Sequence, residues 1–246
     1  KSGPHICPPI SGLNTLKIPF GVFIMDLHNL NHFEKSVKED GVQYIFSCYR
    51  DPFLEKFPEL ENRMIWFPHH VNTDIFKDYG LKKEIDMLMM GFTSENIYPL
   101  RHKIRQSLSQ EPNFVYHHPP NHREITDHQH VFVRERYARE INRAKLFFTC
   151  DSIFHYTVLK HFEVPACHTL LLAPESQELH DLGFKDGENY IAINEENFKE
   201  KALYYLQNDE ERERITKNGY QLVHQRHSTK QRAKELVQHI EKIIHG

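Results

Sequence analysis

The sequence predicts a doubly wound α/β protein built on parallel sheet, and three observations carry that expectation. Short apolar runs alternate with helix-period segments from about residue 86 to residue 207. The runs are apolar almost throughout, as strands covered on both faces are, rather than alternating. Hydrophobic side chains make up 39% of the 246 residues and aromatic ones 12%, which supports a buried core and excludes a disordered chain.

The elements follow in order. The stretch to Pro19 is proline-rich and aperiodic and reads as extended. Residues 20–26 read as a buried strand, 31–39 as a short helix, 43–47 as a second strand and 64–67 as a third, stopped by Pro68. Residues 69–84 read as a linker. Strands are then expected at 86–90, 113–116, 146–150, 169–173 and 190–193. Helices are expected at 98–109, 135–143, 157–162, 175–182 and 196–207, with Pro165 ending the third of them. A helix over 209–226 opens with Asp209 as its cap and acidic residues in its first turn. The helix over 229–244 carries Ala233, Leu236, Val237, Ile240, Ile243 and Ile244 at spacings of three and four, which predicts one buried stripe.

Composition excludes several classes of function. Lys and Arg number 31 against 34 Asp and Glu, so binding nucleic acid through bulk positive charge is out and no nucleic-acid partner is expected. No apolar run reaches the 18 or so residues of a membrane span, although a peripheral membrane contact stays compatible with that. Four cysteines without a C-x-x-C pair, and a start lacking a basic-then-apolar design, point to a reducing, cytoplasmic compartment. The 19 histidines make the net charge positive in mild acid.

In an open parallel sheet, ligands bind beyond the carboxyl ends of the strands. After the strand at 86–90 come Gly91, which lets backbone approach a ligand, and Arg101, which suits phosphate; the plainer reading is a turn glycine and a solvated arginine. After Cys150 come Asp151, Ser152, His155, Lys160 and Glu163, a hydroxyl, an imidazole, a cation and carboxylates on one loop and helix. Lys160 and Glu163, three apart, could instead pair on a helix surface. Asp26 and His28 follow the first strand and suit a general base or acceptor orientation; the alternative is a capping Asp and a solvated His. His69 and His70 read as hinge residues. The loop over 117–130 has five histidines in fourteen residues and reads as solvated, with zinc or nickel binding as the alternative.

The segment from Ser152 resembles the donor-site signature of the group 1 glycosyltransferases, in their CgeB-like (spore maturation protein type) branch. The family pattern is Ser-x-x-Glu, a second Glu eight positions later, then Ala-x-Gly-Thr and an apolar strand. Ser152, Glu163, Ala166 and Thr169 match it, whereas His155 stands at the first Glu and His168 at the Gly. The likeness continues through Tyr98-Pro-Leu-Arg101, through Leu182-Gly-Phe-Lys-Asp-Gly-Glu-Asn-Tyr190, and through His224-Gln-Arg-His227, covering about residues 64 to 240.

The resemblance implies a GT-B-like fold with a shortened N-terminal α/β part (1–75), a nucleotide-sugar-binding Rossmann-like domain (76–228) and a helix (229–246) packing back on the N-terminal part. It implies a glycosyltransferase that moves a sugar from a nucleoside-diphosphate donor to a glycan or other hydroxyl, as in polysaccharide biosynthesis, with no metal and no cofactor beyond the donor. Glu163 would hold the ribose hydroxyls, and Arg101 and Lys160 would neutralise the diphosphate. Gly91, Tyr98, Ser152 and Thr169 would complete the donor site, His155 would face the transferred sugar, and Asp26 and His28 would serve the acceptor. Alternatives are a catalytically silent sugar-nucleotide or glycan-binding module of the same fold, or a nucleotide-sugar epimerase.

Overall fold

Two sheets, both wholly parallel, organise the residues described by the computed structural model, which are 12–28, 30, 33–119 and 131–245. Each sheet belongs to one of two units. The smaller unit combines the chain up to Pro68 with the residues from Lys234 onward, and the larger one runs from His69 to Ala233.

In the smaller unit, β1 (Gly21–Ile24), β2 (Tyr44–Ser47) and β3 (Met64–Trp66) lie in the order β1-β2-β3. Helix α1 (Phe33–Asp40) connects the first two strands. Helix α2 (Asp51–Lys56) and a 3-10 turn (Pro58–Arg63) connect the last two, and neither was expected from the pattern. Both carry proline near their start, where the missing N–H costs nothing. Ile45, Phe53 and Leu60 are buried beneath them.

The larger unit holds β4 (Ile85–Met90), β5 (Phe114–His117), β6 (Ala144–Phe148), β7 (Leu170–Ala173) and β8 (Ile191–Ala192). Its helices are α3 (Pro99–Leu108), α4 (Arg134–Asn142), α5 (Lys160–Ala166), α6 (Gln177–Asp181), α7 (Phe198–Gln207) and α8 (Asp209–Arg226), and α9 (Thr229–His245) begins in it and belongs to the smaller unit from Lys234 on. Leu88, Met89, Leu146, Phe147 and Phe148 are fully buried, each such side chain contributing about 1.5–3 kcal/mol. Where α8 crosses, Gly219 is required, since a Cβ there would come within 2.4 Å of the Asn189 carbonyl oxygen.

The strand order is β5-β4-β6-β7-β8. From β4 the chain moves outward to β5 and then returns to β6 on the other side of β4. The order reverses between β4 and β6, and a doubly wound sheet opens a ligand crevice beyond the carboxyl ends of those strands.

Three local expectations need correction. The helix expected over 157–162 starts at Lys160 and contains Pro165 in its last turn. Thr157 and Val158 are held before it as a turn: the Thr157 hydroxyl donates to Glu178 Oε2 at 2.7 Å, and Val158 is clamped by His161 Nδ1. Asp209 does not cap α8; it lies in the first turn, paired with Arg212 at 2.6 Å. The apolar stripe of α9 is not buried: Ala233, Val237, Ile240 and Ile244 are exposed, Leu236 and Ile243 are half-buried, and the buried residue is Arg232. Within the smaller unit α9 meets the sheet through His239, edge-on to the Phe46 ring at 6.3 Å.

Candidate functional site

At the reversal point the chain leaves β4 through Gly91, whose φ of +138° is open to glycine. A Cβ there would meet Arg101 Nη1 at 3.3 Å and Lys160 Nζ at 3.6 Å, so two cations crowd this turn. Arg101 comes from the first turn of α3 and is buried. Its Nη2 donates to the Cys150 carbonyl at 2.5 Å and to Thr149 Oγ1 at 3.2 Å, and its Nη1 to the Phe92 carbonyl at 3.4 Å. The guanidinium lies 4.1 Å over the Tyr98 ring. It therefore ties the loop after β4 to the loop after β6, a link repeated where the Ile153 amide donates to the Ile97 carbonyl.

A cavity of about 250 Å³ opens beside Gly91. Lys160 and Glu163 of α5 line it, together with His117 at the end of β5, Phe132, and Tyr137 of α4. Burial draws the Lys160 pKa down to about 8, with Arg101 pushing the same way and Glu163 opposing. Burial raises the Glu163 carboxyl, opposed by Lys160. The buried Tyr137 hydroxyl faces Glu163, and desolvation plus that carboxyl hold its pKa well above the usual value. Lys160 and Glu163 act on each other electrostatically, and Glu163 also on Tyr137, but among the described residues neither side chain makes an ion pair within 4 Å. The pocket thus offers an ammonium and a carboxyl side by side on α5. Such a pair suits an anion beside a diol.

A second polar chain backs the same cavity. His117 Nε2 lies 2.8 Å from Glu140 Oε1, and Glu140 Oε2 accepts from Arg143 Nη1 at 2.8 Å. Glu140 is buried, and the His117 hydrogen bond, reinforced by Arg143, holds its carboxyl below the usual range. The His117 ring packs on Phe132 with centroids 4.2 Å apart.

The structure brings Gly91, Lys160 and Glu163 together on the pocket. It sets Arg101 and Tyr98 behind the Gly91 turn, so that Lys160, more than Arg101, is the cation presented. Ser152 is buried and accepts the Phe154 amide at 3.2 Å, shaping the loop. His155 sits in the left-handed region (φ 54°), its side chain 79% exposed and its Nδ1 2.9 Å from Asp151 Oδ2. It does not line the cavity. Thr169 lies away from the group, before the amino end of β7, where its hydroxyl donates to the Ile141 carbonyl at 2.8 Å and accepts from Lys83. Asp26 and His28 belong to the smaller unit, with Nδ1 and Oδ1 3.8 Å apart. Of the histidine-rich loop, residues 120–130 lie outside the described residues. Among the described residues no three metal-ligating side chains gather.

Tyr137, Phe132 and the His117–Glu140 pair were missed as pocket residues. His117 ends a strand, so the carboxyl-end rule could have found it; Tyr137 and Phe132 give no comparable sequence signal.

A family model described as glycosyl transferase-like matches residues 100–238. Among solved structures, the sucrose-phosphate synthase of Thermosynechococcus elongatus superposes with a TM-score of 0.64 at 13% identity, over 86% of this chain and 60% of that one. Anabaena Alr3699/HepE, solved with UDP-glucose, gives 0.63 at 8% identity, over 90% and 72%. The pneumococcal O-GlcNAc transferase GtfA, solved with UDP and GlcNAc, gives 0.60 at 11% identity, over 92% and 53%. The chain thus spans little more than half the length of the first and last of these. What they share with it is the GT-B-like, parallel-sheet α/β fold. No curated protein matches the chain in sequence.

Proposed function

The chain belongs to the glycosyl transferase-like family, and from that premise we propose that it moves a sugar from a nucleoside-diphosphate donor to a hydroxyl of a glycan or other acceptor. The observation that carries this reading is Lys160 and Glu163 together on a cavity beside Gly91, at the reversal point of the sheet. The Glu163 carboxyl holds the ribose diol. Lys160 meets the diphosphate, and the field of the buried Arg101 adds to it. As the bond from the sugar to the β-phosphate breaks, its electron pair goes to the phosphate oxygen, and these fixed cations stabilise the growing charge.

The acceptor oxygen forms the new bond and gives up its proton, a task assigned to His28 with Asp26. His155, held by Asp151, serves the transferred sugar. The cations are the protein's own, so the reading needs no metal. UDP in the GtfA complex and UDP-glucose in the HepE complex support a uridine diphosphate donor. The Tyr98-Pro-Leu-Arg101 and Leu182–Tyr190 segments favour the CgeB-like branch. Buried thiols at Cys150 and Cys167 fit a cytoplasmic setting.

The test is calorimetry with UDP, dTDP, GDP, CDP and ADP, followed by assays of sugar-nucleotide hydrolysis and transfer. One nucleotide should bind and its sugar conjugate should turn over. Binding without turnover would make the chain a silent sugar-nucleotide module. Absence of binding to all five would end the donor-site reading.

A further inference from the structure

Helix α9 carries two rows of residues with the same spacing, four, three and four. Arg232, Leu236, His239 and Ile243 form the first, which the chain covers: Arg232 is buried and the other three are half-buried, with His239 against Phe46. Ala233, Val237, Ile240 and Ile244 form the second, one residue further on and so about 100° round the helix. Val237, Ile240 and Ile244 keep 54%, 42% and 62% of their surface exposed. Single exposed apolar side chains need no explanation, but four in one row make a seam. A four-three-four spacing is that of the core positions of a coiled coil, which meet the like row of another helix. Lys234 and Glu241 each follow a seam residue and flank the row on one side, both exposed and neither in an ion pair among the described residues.

We infer that the exposed row of α9 is closed by the same row of a second copy of the chain, the two helices lying antiparallel. With Val237 of one copy against Ile240 of the other, Ala233 falls against Ile244, small against large, and the two-fold axis makes each contact twice. Lys234 of one copy then comes within a turn of Glu241 of the other, again twice. Glu241 lines a surface groove with Gln238, Lys242 and His245, which gives the incoming lysine a place to lie. A parallel pair would set Glu241 beside Leu236 and leave both charges unmatched, so the charges choose the direction. The covered row is undisturbed, because it lies on a different side of the helix. A seam this short would not bring two free peptides together, but α9 is already folded and in place, so its ordering costs the dimer little. A contact burying under about 1,200 Å² in all belongs to the weak, reversible class, and this one is of that size.

Sedimentation equilibrium tests this on the whole chain, from about 1 µM to about 1 mM, the span of weak association. The wild type should pass from monomer to dimer and go no further, as a closed two-fold contact requires. Ile240→Lys should stay monomeric, with thermal unfolding showing a folded protein, since the position is exposed. Lys234→Glu and Glu241→Lys should each weaken the dimer about tenfold, because one substitution sets like charges together at two places. An equimolar mixture of those two variants should associate as the wild type does, since every pair across the seam is opposite again. A wild type that is monomeric throughout overturns the inference. So does a dimer that survives in Ile240→Lys, or a mixture that associates no more tightly than its components.

Discussion

Lys83 and Lys160 are both drawn down to a pKa of about 8 by burial, yet they stand at opposite ends of one sheet with opposite surroundings. Lys83, just before β4, donates to the His168 carbonyl at 2.5 Å and to Thr169 Oγ1 at 3.0 Å, and Thr169 passes the link on to Ile141. Lys160, beyond the carboxyl ends of the strands, faces a cavity, with Gly91 at its side, Glu163 as a neighbouring charge, and no hydrogen bond from its ammonium among the described residues. The same perturbation therefore has two meanings. At the amino edge the desolvated ammonium is repaid by hydrogen bonds and holds strands together. At the carboxyl edge it is left for a ligand. A shifted pKa marks a functional group only when the geometry leaves it something to do.

The largest expected effect sharpens the carboxyl-edge half of this contrast. Glu163→Ala should weaken nucleotide binding about 100-fold, since a carboxylate on a diol makes up to two charged hydrogen bonds of about 1.5–3 kcal/mol each. Calorimetry that finds unchanged affinity would remove Glu163 from the donor site. Next come the two lysines. Lys160→Met should cost about tenfold or more in nucleotide affinity without lowering stability, because it deletes a desolvated charge that Glu163 offsets only in part. Lys83→Met should do the reverse: a loss of about 1–3 kcal/mol in urea unfolding, from acceptors left without a donor, and unaltered nucleotide binding. If the two variants behaved alike, the contrast would collapse.

The pH dependence separates them further. Each lysine has its folded pKa below the unfolded value of 10.5, so the native state binds fewer protons between about pH 8 and 10.5. The penalty for burying the charge is complete below about pH 8 and fades above it, so both lysines make stability rise with pH across that window. Nucleotide affinity should run the other way, because only the charged Lys160 serves a diphosphate. It should be level below about pH 8 and fall above it, by up to about tenfold per unit. Lys160→Met should abolish that fall and Lys83→Met should not. The smallest expected effect is none: EDTA should leave nucleotide binding unchanged, and loss of binding restored by Mn²⁺ or Zn²⁺ would transfer the diphosphate from Lys160 to a metal.

How far the sequence could be read follows the same division between the two edges. Strands β4, β6 and β7 were visible because Leu, Met, Phe and Ile fill them with little alternation, the mark of burial on both faces. Gly91, Lys160 and Glu163 were visible because the positions after such strands are where ligands bind. Thr169 fitted the same motif and proved to anchor β7 at the far end, since linear spacing does not say which edge of a sheet a residue occupies. Arg101 was expected to meet phosphate directly; its contacts with Cys150 and Thr149, nearly fifty residues away, cannot be read from its neighbours in the chain. The late start of α5 has a similar cause, a hydrogen bond from Thr157 to Glu178. The α9 stripe misled because amphipathic spacing records that a helix has an apolar face and not that anything covers it.

Helix α9 has a consequence for how the protein is made. Its residues from Lys234 on belong to the smaller unit, whose remaining strands and helices all precede His69, while the larger unit is contiguous between them. During synthesis the ribosome must therefore translate the whole larger unit before the smaller one receives its last part. At about 5–20 residues per second, that delay is on the order of ten to thirty seconds. The larger unit, with its cavity beside Gly91, can be complete before then. The face of Phe46 that His239 meets has to wait uncovered, and a nascent chain paused near residue 230 should expose it to chaperones.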